Sequence, residues 1–265
     1  AKKSDLAIVV VGENPLRYQK SKTCGENIDR MGLDLLGTQN QLVQKIHETG
    51  VPTIVVLVGG RPLSVNWIAQ NVQALVQAWE PGSLGGRALA NILAGKVNPS
   101  AKLPISIPRH SGQIQMIYNH KPSQYFHKYI DGPSTPLYPF GFGLSYTRFA
   151  YSSLKLSHTR ISDKDSFTAS IELTNVGDRE GTEVVQLYIR DIYSSATRPV
   201  KELKDFARVT LKPGEKKTVT FTVTPDKLAY WNRNMQYGVE KGEFEIMIGS
   251  SSQDKDLKKV KMEVL

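Results

Sequence analysis

The 265-residue chain is 40% hydrophobic and 22% charged, with a formal net charge of +9, a composition that excludes a disordered or fibrous chain. No apolar run approaches the roughly 18 residues that a bilayer crossing needs; the longest, LAIVVVG and TIVVLVGG, are strand-sized, so no membrane span is expected. The positive excess lies in residues 1–150, with 15 Lys and Arg against 8 Asp and Glu, while residues 151–265 carry 19 against 17. Those basic residues are scattered, without basic runs or aromatic interleaving, which points to solvated surface and away from nucleic acid.

The first half alternates between two kinds of segment. Residues 6–13, LAIVVVGE, form a continuous β-branched run that suits a parallel strand buried on both faces. In TQNQLVQKIHETG, Leu42, Val43 and Ile46 fall at helical spacing and Gly50 supplies a stop. Residues 52–60, PTIVVLVGG, repeat the buried-strand pattern. SVNWIAQN reads as a short helix, VQALVQAW as a strand or short crossover, GSLGGRALANILAG as a helix ending at Gly95, and KLPISIP as an extended segment. That rhythm predicts an α/β fold, a mostly parallel sheet with flanking helices, over residues 1–150.

From about residue 100 the texture turns to Pro, Gly and aromatics, in DGPSTPLYPFGFGLSYTRF, which reads as ordered extended chain wrapping over the sheet domain. Residues 151–265 then alternate polar and apolar positions. Breaks at NVGDREG and KPGE read as hairpin-type connections, and about seven short strands fit an all-β fibronectin type III-like or immunoglobulin-like sandwich. This half shows no catalytic constellation. RPVKELKDF reads either as a contact surface for the other domain or as a charged edge strand.

Cys24 is the sole cysteine, which excludes an internal disulfide and a Cys-based zinc cluster. A nucleophilic Cys24 would need a nearby base, and no His is close in sequence, so a bystander thiol is the favoured reading. The five His residues show no i, i+4 pair and no HExxH, and no metal or cofactor is expected. VGENPLRYQKSK is not GxGxxG, VGGRPLS lacks the Lys-Ser/Thr of a P-loop, and no GxSxG elbow occurs. GSLGGRA reads as an anion site or, more simply, as glycines that allow close helix packing.

What remains is the segment of about 25 residues, 14–38, between the first strand and the first helix, far longer than the usual two to six. Ligands gather at such carboxyl ends of parallel strands. Within or beside it stand Glu13, Glu26, Asp29 and Asp34, carboxylates available for proton chemistry. Glu13 ends a strand and reads as a strand-terminal polar residue. Asp29 and Arg30 adjoin and read as a structural ion pair or as part of the chemistry. Glu26 follows Gly25, whose backbone freedom lets the side chain project, which makes it the leading candidate.

The pieces VVVGE, GENIDR, VVLVGGRPL, AWEPGSLGGRALANILAGKVNPSAKLPISIPRHSGQIQMIYN, YPFGFGLSYTRF, LTNVGDREGTEVVQLYIRD and RPVKELKDFARVTLKPGEKKTV together resemble the C-terminal part of glycoside hydrolase family 3, in its β-glucosidase and β-xylosidase branch. The resemblance covers essentially the whole chain. It implies an N-terminal barrel, not in this chain, that carries a nucleophilic Asp, followed by an α/β sandwich domain and a fibronectin type III-like domain. It implies that Glu26, in the Gly-Glu-x-x-Asp-Arg pattern, is the acid/base of a retaining β-glycosidase acting on β-linked glucosides. Arg17 and Tyr18 look like sugar contacts, though packing of the loop accounts for them equally. A β-xylosidase or α-arabinofuranosidase, and a non-catalytic carbohydrate-binding or interaction module, are the alternatives. The expected partners are a β-linked oligosaccharide and the missing barrel, from the same polypeptide or another chain, and the expected location is periplasmic or extracellular.

Overall fold

The computed structural model describes residues 1–13, 22–25, 28–122 and 129–265. They divide into two compact units: residues 1–97, 107–116 and 134–138, and residues 98–106, 117–133 and 139–265. The segment rich in Pro, Gly and aromatics therefore contributes stretches to both.

The first unit is built on β1 (Ala7–Gly12), α1 (Gln39–His47), β2 (Thr53–Val58), α2 (Asn66–Asn71), β3 (Ala74–Trp79) and α3 (Gly85–Leu93). β1, β2 and β3 pair in that order, all parallel, with Val9 opposite Val55 and Val55 opposite Leu75. Val9, Val11, Val55 and Leu57 join Val43 of α1, Ile68 of α2, and Leu63 and Val65 in one core. β1 departs from the expected two-sided burial. It alternates, with Val9 and Val11 buried and Ile8 and Val10 51% and 59% exposed. The β-branched run encoded strand propensity; the packing of α1 and α2 decided which face is covered. The helix signal behaves likewise: Val43 is fully buried, whereas Leu42 is half exposed.

The second unit contains β4 (Phe149–Tyr151), β5 (Lys155–Leu156), β6 (Arg160–Ile161), β7 (Phe167–Asn175), β8 (Gly181–Asp191), β9 (Glu202–Leu211) and β10 (Lys216–Val223). A short helix α4 (Pro225–Leu228), a small ribbon of β11 (Tyr230–Trp231) and β12 (Tyr237–Gly238), and the long strands β13 (Gly242–Gly249) and β14 (Leu257–Val264) follow. One sheet runs β10-β7-β4 with β5 also on β7; the other runs β6-β14-β13-β8-β9. Inward-facing residues of both, among them Ile171, Leu173, Leu187, Ile189, Phe221, Ile246 and Ile248, form a single apolar core. This is a β-sandwich.

The two expected hairpins are not hairpins. β7 and β8, joined by NVGDREG, lie in different sheets, as do β9 and β10, joined by KPGE, so both connections are arches across the sandwich. Asn175, fully buried at the end of β7, holds the arches together. Its carboxamide oxygen accepts from Thr147 Oγ1 (2.6 Å) and Gly177 N (3.1 Å), and its Nδ2 donates to Arg179 O (2.7 Å) and Leu211 O (2.9 Å). Turn residues mark where a strand ends; the sheet that receives the next strand is set by such long-range contacts.

The PFGFG stretch is fixed onto the same sandwich. Gln186 Nε2 donates to Gly141 O and Ser250 O, Gln186 Oε1 accepts from Tyr188 Oη, and the Phe140 ring stacks on Tyr118 with centroids 4.2 Å apart. Gly141 has φ +77°, and a Cβ there would lie 2.1 Å from Gln186 Oε1, so the approach requires glycine.

Candidate active-site edge of the parallel sheet

Parallel strands leave their carboxyl ends on one edge, here at Glu13, Gly59 and Glu80. Residues 13–38 connect β1 to α1 from this edge. The ends of that connection are tied by Gln39, whose Oε1 accepts from Gly12 N (2.7 Å) while its Nε2 donates to Gly12 O (3.0 Å) and Leu36 O (3.2 Å).

Inside that tie lies an ion cluster. The Glu13 side chain is 1% exposed, with Arg30 Nη2 at 2.6 Å and Arg61 Nε at 2.9 Å from its Oε1. Arg61, from the connection after β2, also donates through Nη1 to Arg30 O (3.0 Å) and pairs through Nη2 with Asp29. Arg30 Nη1 in turn donates to Asp34 O (3.0 Å). The two guanidinium groups thus compensate the buried Glu13 charge, as burial of charge demands, while Asp29 adds a largely exposed second carboxylate. Room for Glu13 comes from Gly59, which has φ +145° and where a Cβ would stand 3.1 Å from Glu13 Cβ.

Cys24 is buried against this cluster. Its thiol pKa is raised, first by burial and then by the negative charge of Glu13, with Arg61 acting in the opposite direction. Such a thiol stays protonated at neutral pH and is a poor nucleophile, which agrees with the bystander reading. Gly25, next in the chain, has φ +102°, a conformation that suits glycine.

The sequence candidates therefore separate. Glu13 is a sequestered structural carboxylate. Asp29 and Arg30 are not each other's side-chain partners: Arg30 Nη2 reaches Glu13, and Asp29, 80% exposed, meets Arg61. Asp34 anchors Arg30 by its carbonyl and lines a cleft of about 380 Å³, with Asn40, Gln41, Asn66 and Trp67, within the size range of small-molecule sites. Glu26, Arg17 and Tyr18 lie outside the described residues. Arg61, Gln39 and Glu80 escaped the sequence reading; the one local signal for Arg61 was its place directly after the double glycine that ends β2. Among the described residues no group of three or more His, Cys, Asp and Glu is arranged to hold a metal ion, and no helix is long and apolar enough to cross a membrane.

A parallel α/β unit with an ion-clamped connection over its carboxyl edge, joined to a β-sandwich, defines an α/β protein with an appended fibronectin type III-like module. Residues 1–146 match the model of the glycosyl hydrolase family 3 C-terminal domain, and residues 183–252 that of the fibronectin type III-like domain. The chain belongs to glycosyl hydrolase family 3, in its C-terminal part. Among its relatives, a beta-xylosidase of Formosa agariphila is 47% identical over 267 residues, covering 100% of this chain and 36% of the relative. A periplasmic beta-glucosidase of Salmonella typhimurium is 41% identical, covering 95% of this chain and 34% of that protein. The solved β-glucosidase of Erythrobacter marinus superposes with a TM-score of 0.92 at 40% identity, over 100% of this chain and 35% of that one. The chain thus spans about a third of the length of the proteins it matches.

Proposed function

We propose that this chain is the C-terminal portion of a retaining β-glycosidase, a β-glucosidase that releases terminal non-reducing β-D-glucosyl residues. Glu26 is its general acid/base, and an N-terminal barrel supplies the nucleophilic Asp. The observation that carries the reading is similarity over the full chain to proteins named beta-glucosidase and beta-xylosidase. The long connection clamped at the sheet's carboxyl edge supports it. Glu26 protonates the glycosidic oxygen as the Asp attacks the anomeric carbon; the resulting carboxylate then takes a proton from the water that releases the sugar. Retention requires the two carboxyl groups about 5–5.5 Å apart, so residue 26 must reach a reaction centre housed outside its own domain. Arg17 and Tyr18 are assigned to the sugar.

As domain organisation we propose an α/β domain over residues 1–150 and a fibronectin type III-like domain over 151–265, supported by the family matches at 1–146 and 183–252. A periplasmic or extracellular location is supported by the relative named periplasmic. A β-xylosidase is the second reading, favoured by the 47% identity to a beta-xylosidase.

The test is kinetic. In the full-length protein, Glu26→Ala should slow alkyl glycosides about 100-fold or more while largely sparing 2,4-dinitrophenyl glycosides, whose leaving group needs no proton. Equal slowing of both overturns the acid role. Comparing kcat/KM for nitrophenyl β-glucoside and β-xyloside decides the glycone. The 265-residue chain alone should give no turnover, and its binding of glucose, xylose or cellobiose in calorimetry would favour a carbohydrate-binding module instead.

A further inference from the structure

The Glu13 cluster joins positions that are far apart along one connection. Residue 13 opens it; Cys24, Asp29 and Arg30 lie well along it; and Arg61 enters from the neighbouring β2–α2 connection to bridge Glu13, Asp29 and the Arg30 carbonyl. The central carboxylate is 1% exposed, and the two guanidinium groups that hold it are 16% and 15% exposed. A solvated surface pair would not be enclosed to this degree, nor would it require the left-handed glycine at position 59 that makes room for it. Both guanidinium groups meet the same Glu13 oxygen, Oε1, while Arg61 Nη1 and Nη2 reach the Arg30 carbonyl and Asp29, so one side chain ties three points of the connection together. Residues in contact with the cluster flank position 26 on both sides, Cys24 before it and Asp29 and Arg30 after it.

We propose that the Glu13–Arg30–Arg61 cluster is the positioning device of the general acid, holding at the edge of the parallel sheet the residues that precede and follow position 26, Cys24 on one side and Asp29 and Arg30 on the other. This rests on the reading of Glu26 as acid/base. Glu13, Arg30 and Arg61 do not touch the reacting atoms. They act through the chain that bears Glu26, and a small displacement of a proton donor is enough to cost rate.

The experiment uses the full-length enzyme with Glu13→Gln, which keeps the shape and removes the charge, alongside Glu26→Gln. Hydrogen exchange of peptides spanning residues 22–34 should quicken about 10-fold in Glu13→Gln, with peptides from β7 and β8 unchanged. For alkyl glycosides kcat should fall about 10- to 100-fold with KM little altered, and for 2,4-dinitrophenyl glycosides less than about 3-fold. Arg61→Lys keeps a cation beside Glu13 but cannot bridge Asp29 and the Arg30 carbonyl. It should show the same selective pattern at about 3- to 10-fold, and it carries the test if Glu13→Gln does not fold. Selective loss in Glu26→Gln with equal loss on both substrates in the cluster variants overturns the positioning role. So does unchanged exchange over residues 22–34. Absence of selectivity in Glu26→Gln itself instead fells the acid assignment, and the inference with it.

Discussion

Gln39 grips Gly12 by both sides of its backbone, accepting from the amide at 2.7 Å and donating to the carbonyl at 3.0 Å across 27 positions of sequence. A primary carboxamide offers an acceptor oxygen and a donor nitrogen side by side, which matches the amide and carbonyl of one residue. Gln39→Glu removes the donor and sets a carboxylate oxygen against the carbonyls of Gly12 and Leu36. The expected loss is about 1–3 kcal/mol, read as a lower midpoint of the α/β unit's thermal transition.

Gly59 presents a second dependence. Its φ of +145° and the closeness of the Glu13 side chain both resist a Cβ. Gly59→Ala should cost about 1–3 kcal/mol and displace Glu13 from its guanidinium partners. Alkylation of Cys24, followed by mass spectrometry, should then accelerate, because the thiol loses both its cover and the neighbouring charge that raises its pKa.

In the sandwich, Asn175→Asp should be far more damaging than its isosteric shape suggests. Two donors, to Arg179 O and Leu211 O, become acceptors facing acceptors in a fully buried site. A loss of roughly 3 kcal/mol or more is expected, visible in chemical denaturation of the sandwich transition. Asn175→Ser, which keeps a small polar group, should be less severe.

Asp191 gives a pH prediction. Its pKa is pushed up to about 6, chiefly by burial, with Glu240 and Glu202 adding to the rise and Arg198 and the Ser194 hydroxyl opposing it. An Asp raised in the folded state binds more protons there than in the unfolded chain between its ordinary value and about 6. Its contribution to stability therefore falls as pH rises through that window and stays lost above it. Asp191→Asn should raise the melting temperature at pH 7.5, by roughly 1 kcal/mol of stability given the residue's partial exposure, with little gain at pH 4. A melting series across pH checks both limbs.

Much of this architecture was written in local pattern. The β-branched runs gave β1 and β2, and the Gly50 stop is present, with φ +77° and its amide on His47 O. The alternation in residues 151–265 gave the sandwich strands. What was not legible depended on partners distant in sequence. Ile8 and Val10 have the same propensity as Val9 and Val11, and only helix placement separates them. NVGDREG carries the residues of any tight turn, and the arch depends on Thr147 and Leu211 meeting Asn175. At the sheet edge, adjacency suggested an Asp29–Arg30 pair, while the real partners are 17 and 32 positions away.

β1 ends the sheet order on one side, and beyond it no further strand is paired among the described residues, while Ile8 and Val10 stand open to solvent. Gln39 caps this margin at Gly12, and upstream of that cap a strand edge without a partner, beside bare β-branched side chains, is a template for intermolecular strand addition. Preparations of this polypeptide by itself are thus liable to self-associate through that margin. A Lys at position 8 or 10 is the simplest way to keep such material dispersed.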